Sequence, residues 1–412
     1  MAKIRPFKAI RPTRDKVHLV ATRPYYTYKD IVLKAKLEDN PYTFLHIINP
    51  EFGEKHKTEP NSNERFASVS DAYHEFIDNG ILKQDKNEHI YLYRQTTEEH
   101  EYMGIVAGAN VQEYKEDKIK KHEATLTSRE EMFMNYLNIV GYNAEPVLLS
   151  YSDIENLIEP LLYNKTKERP EYEYTTTDKV KHELWIFNKK ETESIKNGFD
   201  SIDSLYICDG HHRSASSAGL KNWRSQKGQG HFPNEDYFLA FFLNERRLQI
   251  LEFNRLIKTL NGLSKEEFLN KLRKNFKIEE LFVAEKPSET HQITMCIEGD
   301  WYRLTCAPEI INESHPVECL DAEILTNFVL KPLLGINDLK TDTNIDFISG
   351  KGDLESIQRK IGMGKFKIGF FLYPVDISVI KRVADHNMTM PPKSTWVEPK
   401  LRSGLTIYNI NE

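Results

Sequence analysis

The stretch LYICDGHHRSASSA, residues 205–218, changes from apolar to polar at its fifth position. The apolar run Leu205–Cys208 has the length of a buried strand and stops at Asp209-Gly210, a dipeptide that marks a turn. Small residues follow from Ser214 to Ala218, and they permit close helix packing. This pattern predicts a strand, a sharp turn and the start of a helix.

Helical and strand-like patterns alternate along the rest of the chain, which predicts a mixed α/β (α+β) fold with a mixed sheet at its core. Short runs rich in β-branched and aromatic residues predict the strands. We expect them at Phe44–Ile48, His89–Tyr93, Gly104–Tyr114, Pro146–Tyr151, Leu184–Phe187, Leu205–Cys208, Tyr237–Leu243, Gln292–Ile297, Trp301–Cys306 and Lys367–Tyr373.

Several segments place apolar residues on one helical face between recognisable ends. The predicted helices are Val69–Ile77 stopped by Asn79-Gly80, a helix with a capping box at Ser128 that ends at Gly141, a helix capped by Asp153, a helix with a capping box at Ser264, and Val379–Ala384.

The chain has 412 residues, enough for one large domain with additions or for two or three ordinary domains. We predict a main α/β body formed by residues 1–257 and 350–412, which carries the candidate site. Residues 258–349 are predicted to form a smaller α/β lobe that is inserted before the last strands return to the main body.

Composition excludes several functional classes. The formal charge is −6, from 56 basic and 62 acidic residues, with both signs mixed along the chain, so we expect no nucleic-acid partner. No apolar stretch is long enough to span a bilayer, and residues 1–6 lack the apolar core of a signal peptide. The four cysteines are scattered, which favours reduced thiols. We therefore expect a cytoplasmic protein with a small-molecule substrate and no membrane partner, and a homodimer is left open.

The predicted turn carries five adjacent residues that can do chemistry. The first turn of a helix attracts anions, Gly210 lets a ligand approach the backbone, and Arg213 can grip phosphate with two hydrogen bonds. His212 can donate to phosphate oxygens, and His211 can transfer a proton. Asp209 can hold Mg²⁺ or accept a proton. The alternative is that Asp209 caps the helix and the histidines satisfy local hydrogen bonds.

Two other segments supply candidate site residues. Glu123, in the charged segment 120–125, could be a general base, although taken alone this segment fits a solvated turn better than a site. Lys393, Ser394 and Thr395 follow two prolines that hold the chain extended, and they resemble a phosphate-binding loop in composition only, without the glycines of a Walker motif.

A tightly bound zinc ion is not favoured at the turn. Adjacent histidines on a helix, such as His211 and His212, point about 100° apart and cannot easily share one ion. The sequence there also lacks two histidines four residues apart, the spacing of helical zinc sites.

Taken together, a set of short motifs resembles the bacterial family catalogued as domain of unknown function 1015, over nearly the whole chain. The motifs are Arg5-Pro6-Phe7, Pro24-Tyr25, Asn40-Pro41 with Phe44-Leu45-His46, His122-Glu123-Ala124-Thr125, His182-Glu183-Leu184-Trp185, Tyr206 to Arg213, Asn254-Arg255, and Pro391 to Thr395 leading to Gly404. Two departures are Tyr26, where the family often has aspartate, and Cys208, where it often has alanine. The first puts in doubt a metal or substrate role for position 26.

The turn is also similar to the Asp-Gly-His-Thr-Arg turn of free serine kinases, which have a ParB/sulfiredoxin-like fold. The likeness covers about one helical turn and its strand. It implies a ParB/sulfiredoxin-like element here, with ATP or ADP phosphates gripped by His211, His212 and Arg213 at the helix start. It further implies a carboxylate base for a small hydroxyl substrate.

Three functional hypotheses follow. The first is a nucleotide-dependent phosphotransferase acting on a small hydroxyl metabolite, with Asp209 holding Mg²⁺, Arg213 and Lys393 neutralising phosphate, and Glu123 as base. The second is a nucleotide-binding regulatory switch without metabolite turnover. The third is a metal-dependent hydrolase built on Asp209, His122, His211 and His212.

Overall fold

The computed structural model describes residues 2–352 and 354–412. Met1 and Asp353, which fall inside the predicted main body, lie outside the described residues. The chain forms two compact units: Met1–Lys121, Thr125–Leu248 and Pro399–Glu412 make the first, and His122–Ala124 with Gln249–Glu398 make the second. The lobe predicted at 258–349 falls within the second unit, and the proposed division into a body and a lobe stays a prediction.

The strands are short in most cases and are numbered in chain order. They are β1 (Ile4–Arg5), β2 (Ile10–Pro12), β3 (Leu82–Gln84), β4 (Tyr91–Thr96), β5 (Glu101–Asn110), β6 (Ile119–Lys120), β7 (Tyr142–Asn143), β8 (Val147–Tyr151), β9 (Tyr172–Thr175), β10 (Lys181–Ile186), β11 (Leu205–Asp209), β12 (Tyr237–Asn244), β13 (Gln249–Ile257), β14 (Phe276–Leu281), β15 (Gln292–Ile297), β16 (Asp300–Cys306), β17 (Ile345–Ser349), β18 (Ile368–Leu372), β19 (Thr395–Glu398) and β20 (Tyr408–Asn409).

The helices are distributed over the whole chain. They are α1 (Val17–Val20), α2 (Asp30–Asp39), α3 (Leu45–Ile48), α4 (Asn63–Asp78), α5 (Val111–Lys115), α6 (Thr127–Val140), α7 (Glu159–Lys165), α8 (Lys189–Phe199), α9 (His211–Gln226), α10 (Lys265–Leu272), α11 (Asp321–Leu325), α12 (Leu354–Gly362) and α13 (Ile377–Asp385).

The first unit is built on a mixed sheet with the strand order β6-β11-β8-β12-β5-β4-β10-β9, and β1 pairs with β5. β11 runs parallel to β6 and antiparallel to β8, while β8 runs parallel to β12. Ile105, Leu149, Ile207 and Phe242 belong to its apolar core and are fully buried. The mixed α/β class predicted from the sequence is confirmed, and the sheet presents the C-terminal residue of β11, Asp209, next to the start of α9.

The second unit contains its own sheet, with the strand order β14-β16-β15-β18-β13-β17 and with β19 paired to the first half of β13. The paired strands run antiparallel. Met295, Leu330 and Phe370 lie in a core that is separate from that of the first unit and are fully buried. Burial of two independent apolar cores explains why the chain forms two units.

Several predicted helix ends are confirmed. Helix α4 ends before Gly80, whose φ of 68° is left-handed. Ser264 accepts a hydrogen bond from the N–H of Glu267, and the Glu267 carboxylate accepts one from the N–H of Ser264, so the capping box of α10 is present. Helix α6 ends at Gly141, with φ of 77°. These ends depend on local chemistry, which the sequence displays directly.

Two predictions about helix starts are wrong. The capping box at Ser128 does not form, because α6 begins one residue earlier and its N-cap, Leu126, makes no side-chain hydrogen bond. The helix predicted after Asp153 begins only at Glu159. The Asp153 carboxylate instead accepts hydrogen bonds from the N–H groups of Leu157 and Ile158, in the turn that precedes the helix.

Two predicted strands also need correction. Phe44–Ile48 is not a strand, because Leu45–Ile48 forms helix α3. A short apolar run fits a buried helical turn as well as a strand. The strand predicted at Gly104–Tyr114 ends at Asn110, whose side chain accepts a hydrogen bond from the N–H of Glu113 and begins α5.

Candidate functional site

The sequence-predicted strand, turn and helix start are present in the first unit. β11 ends at Asp209, Gly210 has a left-handed φ of 100°, and α9 begins at His211. The pairing of β11 with β8 shifts register between Ile207 and Asp209, an irregularity that re-aims the end of the strand. The N-terminus of a helix of 16 residues therefore follows the carboxylate of Asp209 after a single glycine.

Two cations hold the Asp209 carboxylate. Its Oδ1 lies 3.1 Å from Lys400 Nζ, and its Oδ2 accepts a hydrogen bond of 2.8 Å from Arg213 Nη2. Burial alone would raise the pKa of Asp209, but the charges of Lys400 and Arg213 outweigh it and hold that pKa below its ordinary value. Asp209 is therefore ionised at neutral pH, the form in which a carboxyl group binds a metal ion.

Arg213 folds back over the turn and is anchored by the protein. Its Nη1 donates to the carbonyl oxygens of Glu145 and Pro146, at 3.1 and 2.5 Å, and its Nη2 lies 3.0 Å from Glu145 Oε1. A Cβ at position 210 would lie 3.1 Å from the Arg213 guanidinium carbon. Glycine at 210 thus serves both the left-handed backbone and the close approach of this arginine.

The two histidines of the turn differ in burial. His211 is 5% exposed, whereas His212 is half-buried. The hydroxyl of Ser214 donates to the His211 carbonyl at 3.0 Å, and that of Ser216 donates to the His212 carbonyl at 2.8 Å. The small residues after the turn therefore tie the first turn of α9 together, which keeps both histidines in place.

Tyr26, the residue that departs from the family pattern, lies near this turn. Partial burial, with the charges of Asp209 and Glu145, raises the pKa of Tyr26 above its ordinary value, although 55% of the residue is exposed. A phenol in this setting stays protonated at neutral pH and can donate a hydrogen bond. It cannot supply the negative charge of the aspartate that the family often has.

A cavity of about 460 Å³ opens beside the turn, inside the first unit. Arg213, Glu145 and Ser403 border it at the turn. Aromatic rings form much of the remaining wall, namely those of Tyr25, Phe44, Phe66, Phe133, Tyr136, Tyr142 and Phe238. Burial raises the pKa of Tyr136 to about 12, so its hydroxyl is neutral. The cavity has the size and apolar character of a small-molecule site.

Glu123, Lys393, Ser394 and Thr395 belong to the second unit. The backbone N–H of Met390 donates to the His122 carbonyl at 2.8 Å, which places residue 390 next to residue 122 within that unit. Their predicted roles at the Asp209 turn stay predictions.

Within that unit, each residue of the Lys393 segment has a defined setting. Lys393 is exposed, has φ of 59° and places its Nζ 5.3 Å from the centre of the Phe253 ring. The Ser394 hydroxyl donates to the Pro391 carbonyl at 2.7 Å, and Thr395 pairs with Glu252 between β19 and β13.

The metal cluster required by the hydrolase hypothesis is not formed. Among residues 2–352 and 354–412 there is no group of three or more histidine, cysteine, aspartate or glutamate side chains placed to hold one ion. Asp209 is engaged by two cations instead. Asp209 could serve as one ligand of a Mg²⁺ ion bound to nucleotide phosphates, because most ligands of such an ion are water molecules and phosphate oxygens.

Sequence reasoning missed two members of the site, Lys400 and Glu145. Lys400 lies 191 positions after Asp209, and Glu145 lies 68 positions before Arg213. Lys400 lies in the segment that leads from Thr395 to Gly404, but the sequence assigns neither residue a role at the turn. Cys208 behaves as predicted, because burial raises the pKa of its thiol to about 12 and all four cysteines are buried and free.

The chain belongs to the family described as "Protein of unknown function (DUF1015)", whose profile matches residues 4–323. The family resemblance inferred from the short motifs is thereby confirmed. No curated protein matches the sequence. In the part of the chain that the structure describes, no helix is both long and apolar enough to cross a membrane.

The solved structures that match this chain share little sequence with it. A free serine kinase in complex with AMP is 13% identical, with a TM-score of 0.36, over 74% of this chain and 91% of that one. SbnI with a C-terminal truncation, from Staphylococcus aureus, is 13% identical, with a TM-score of 0.38, over 74% and 87%. A conserved hypothetical protein from Pyrococcus furiosus is 13% identical, with a TM-score of 0.34, over 74% and 95%. At such scores these likenesses carry no inference about function.

Proposed function

We propose that this protein binds ATP or ADP at the Asp209–Arg213 turn and transfers phosphate to a small hydroxyl metabolite. The observation that carries the proposal is the convergence of Asp209, Arg213 and Lys400 at the start of α9, beside an aromatic cavity. A helix N-terminus, two cations and a carboxylate are the parts that phosphoryl transfer requires for positioning and charge neutralisation.

The phosphates would lie at the helix start. Dipole character and first-turn N–H groups favour anions there, and Gly210 lets them come close to the backbone. Lys400 supplies a point charge 3.1 Å from Asp209, and His211 and His212 supply ring N–H donors. Arg213 is held by four acceptor contacts, so its main contribution is to position Asp209 and to offset the negative charges of Asp209 and Glu145.

The nucleoside would occupy the aromatic cavity. Its volume of about 460 Å³ falls within the range of small-molecule sites. Purine and ribose rings gain from stacking and contact on aromatic side chains such as Phe133 and Phe238. Because Arg213 and Glu145 border this cavity, a base placed in it would leave its phosphates at the turn.

In the transfer step the substrate hydroxyl oxygen forms a bond to the terminal phosphorus as the bond from phosphorus to the bridging oxygen breaks. The nucleotide leaves with the electrons of that bond, and the hydroxyl proton passes to a carboxylate base, the role that the sequence predicts for Glu123. Asp209 would hold Mg²⁺ against the phosphates. Replacing Glu123 by Gln should then abolish turnover without weakening nucleotide binding.

Nucleotide binding tests the proposal first. The thermal unfolding midpoint of the full chain is measured with ATP, ADP and CTP, each with and without Mg²⁺. A ligand at about 100 times its dissociation constant should stabilise the protein by about 2.7 kcal/mol. We expect a Mg²⁺-dependent rise with ATP or ADP, and we expect Arg213→Ala to lose it.

Arg247→Ala is the matched control, because Arg247 is also partly buried and paired with two carboxylates, those of Glu159 and Glu101. It should retain the rise. A rise that persists in Arg213→Ala, or no rise with any nucleotide, contradicts the proposal. Binding without phosphate transfer to any hydroxyl metabolite would instead support the regulatory switch.

A further inference from the structure

Arg255, in β13 of the second unit, is a buried cation. The side of its guanidinium formed by Nε and Nη2, called the bare edge below, has no hydrogen-bond partner among the described residues. The residue is 0% exposed, and its Nη1 donates to the Phe253 carbonyl. Burial lowers the pKa of Arg255 to about 10, which still leaves the guanidinium charged at neutral pH. A buried charge without a partner is costly, so this edge calls for an explanation.

The bare edge is the one that other arginines of this chain use to hold carboxylates. Arg11 donates from Nε and Nη2 to Asp85, at 2.8 and 2.7 Å. Arg247 donates from the same two nitrogens to Glu159, from Nε to Oε1 at 3.4 Å and from Nη2 to Oε2 at 2.9 Å. The two N–H bonds on this edge run parallel and match the two oxygens of a carboxylate or phosphate.

The carboxylate whose charge acts on Arg255, that of Asp321, is hydrogen-bonded to another residue. Asp321 raises the pKa of Arg255 through its charge, but it is not within bonding distance. Its Oδ1 accepts hydrogen bonds from the backbone N–H and the Nδ1 of His291, at 2.9 and 3.2 Å. The protein therefore supplies a distant negative charge and leaves the two donors to another acceptor.

A second cation lies on the same face of β13. Phe253 and Arg255 are two residues apart on the strand, so their side chains point to one side of the sheet. Lys393 Nζ lies 5.3 Å from the centre of the Phe253 ring, and the Arg255 guanidinium lies 5.6 Å from the centre of the Phe347 ring. Because Lys393 and Arg255 both carry positive charge, this face of β13 favours a bound anion.

We propose that the Nε–Nη2 edge of Arg255 binds the oxyanion group of a small ligand, a carboxylate or a phosphate, in a site belonging to the second unit. The site goes beyond the turn at Asp209 and does not depend on it. Because the edge has no exposed surface, the groups packed over the guanidinium must move aside for the anion to enter. The bound anion would pair with Arg255 in the way that the Asp85 carboxylate pairs with Arg11 and the Glu159 carboxylate pairs with Arg247.

The Nε–H signal of Arg255 in a ¹⁵N–¹H spectrum of the full chain tests the site directly. The signal is assigned by its absence in Arg255→Lys, and by Arg255→Met if the lysine variant does not fold. Inorganic phosphate and acetate are titrated separately. We expect a saturable shift with at least one of them, and phosphate alone or acetate alone identifies the class of anion. The Nε–H of Arg303, which pairs with Glu285 in the same unit, serves as the control and should not move.

Repeating both titrations on Arg213→Gln separates this site from the proposed nucleotide site. A shift that persists in that variant supports an independent anion site, even if the protein binds no nucleotide. The inference is overturned if neither anion moves the Arg255 signal, or if the shift disappears in Arg213→Gln.

Discussion

Arg213 and Arg255 illustrate two ways of keeping an arginine inside a protein. The Arg213 guanidinium contacts two carboxylates and two carbonyl oxygens, and its side chain is still 26% exposed. Arg255 is 0% exposed and contacts one carbonyl oxygen. Arg213, with all its contacts made within the protein, fixes the position of neighbouring groups. Arg255 keeps two donors for an acceptor that the described residues do not provide.

The largest difference in stability is expected between variants that replace Arg213 and Arg255 by an uncharged residue. Arg213→Met leaves Asp209 and Glu145 without their shared partner and should lower the free energy of unfolding by about 3 kcal/mol. Arg255→Met removes an unpaired buried charge, so in anion-free buffer it should be neutral or raise that free energy by about 1 kcal/mol. Urea titrations of both variants and the wild type measure the difference. A loss with Arg255→Met as large as that with Arg213→Met would show that Arg255 is a structural residue.

His182 adds a third case to the comparison, a basic side chain that burial keeps in its neutral form. It is 0% exposed, and its Nδ1 and Nε2 contact the hydroxyls of Tyr93 and Thr176, at 2.8 and 3.4 Å. Burial, and then the charge of Arg402, lowers the pKa of His182 to about 3. A histidine in this setting is neutral in the folded protein at neutral pH and at mildly acidic pH.

The sign of the resulting pH dependence follows from the two states. The unfolded chain protonates His182 below about pH 6.5 and the folded chain does not, so stability is full above that pH and is lost as the pH falls toward 3. The loss should reach about 2 kcal/mol at pH 5. His182→Gln should flatten this slope in urea titrations at several pH values, while replacement of the exposed His74 by Gln should leave it unchanged. An equal slope in all three proteins would contradict the buried, neutral state of His182.

Two glycines at the ends of α9 give a smaller and more local test of the Arg213 clamp. Gly210 has φ of 100°, and a Cβ there would approach the Arg213 guanidinium, whereas Gly228 has φ of 70° and a Cβ would meet nothing within 4 Å. Both alanine variants carry the strain of a left-handed backbone, about 1 to 2 kcal/mol. Gly210→Ala should lose about 1 kcal/mol more, because it also displaces Arg213. Equal losses in thermal unfolding would mean that the clamp contributes nothing to stability.

Local patterns were enough to predict much of the fold. The strand predicted at Gln292–Ile297 is β15 with the same ends, and the turn at Asp209-Gly210 lies where it was expected. The run Phe44–Ile48 predicts a strand but forms a helical turn, because so short an apolar run does not distinguish the helical period from the strand period.

The candidate site could be predicted only where its residues are neighbours in sequence. The turn from Asp209 to Arg213 is recognisable from four polar side chains around one glycine. Lys400 and Glu145 reach it from distant segments, and the sequence assigns neither of them a role there. The bare edge of Arg255 has no sequence signal either, since it is defined by a partner that is missing from a packed core.

A crystal structure of the full chain with ADP and Mg²⁺ tests the central proposal most directly. We predict phosphate oxygens at the start of α9, within hydrogen-bonding distance of the first-turn backbone and of Lys400, with the adenosine in the aromatic cavity that Arg213 borders. Nucleotide bound away from the Asp209–Arg213 turn would contradict that proposal.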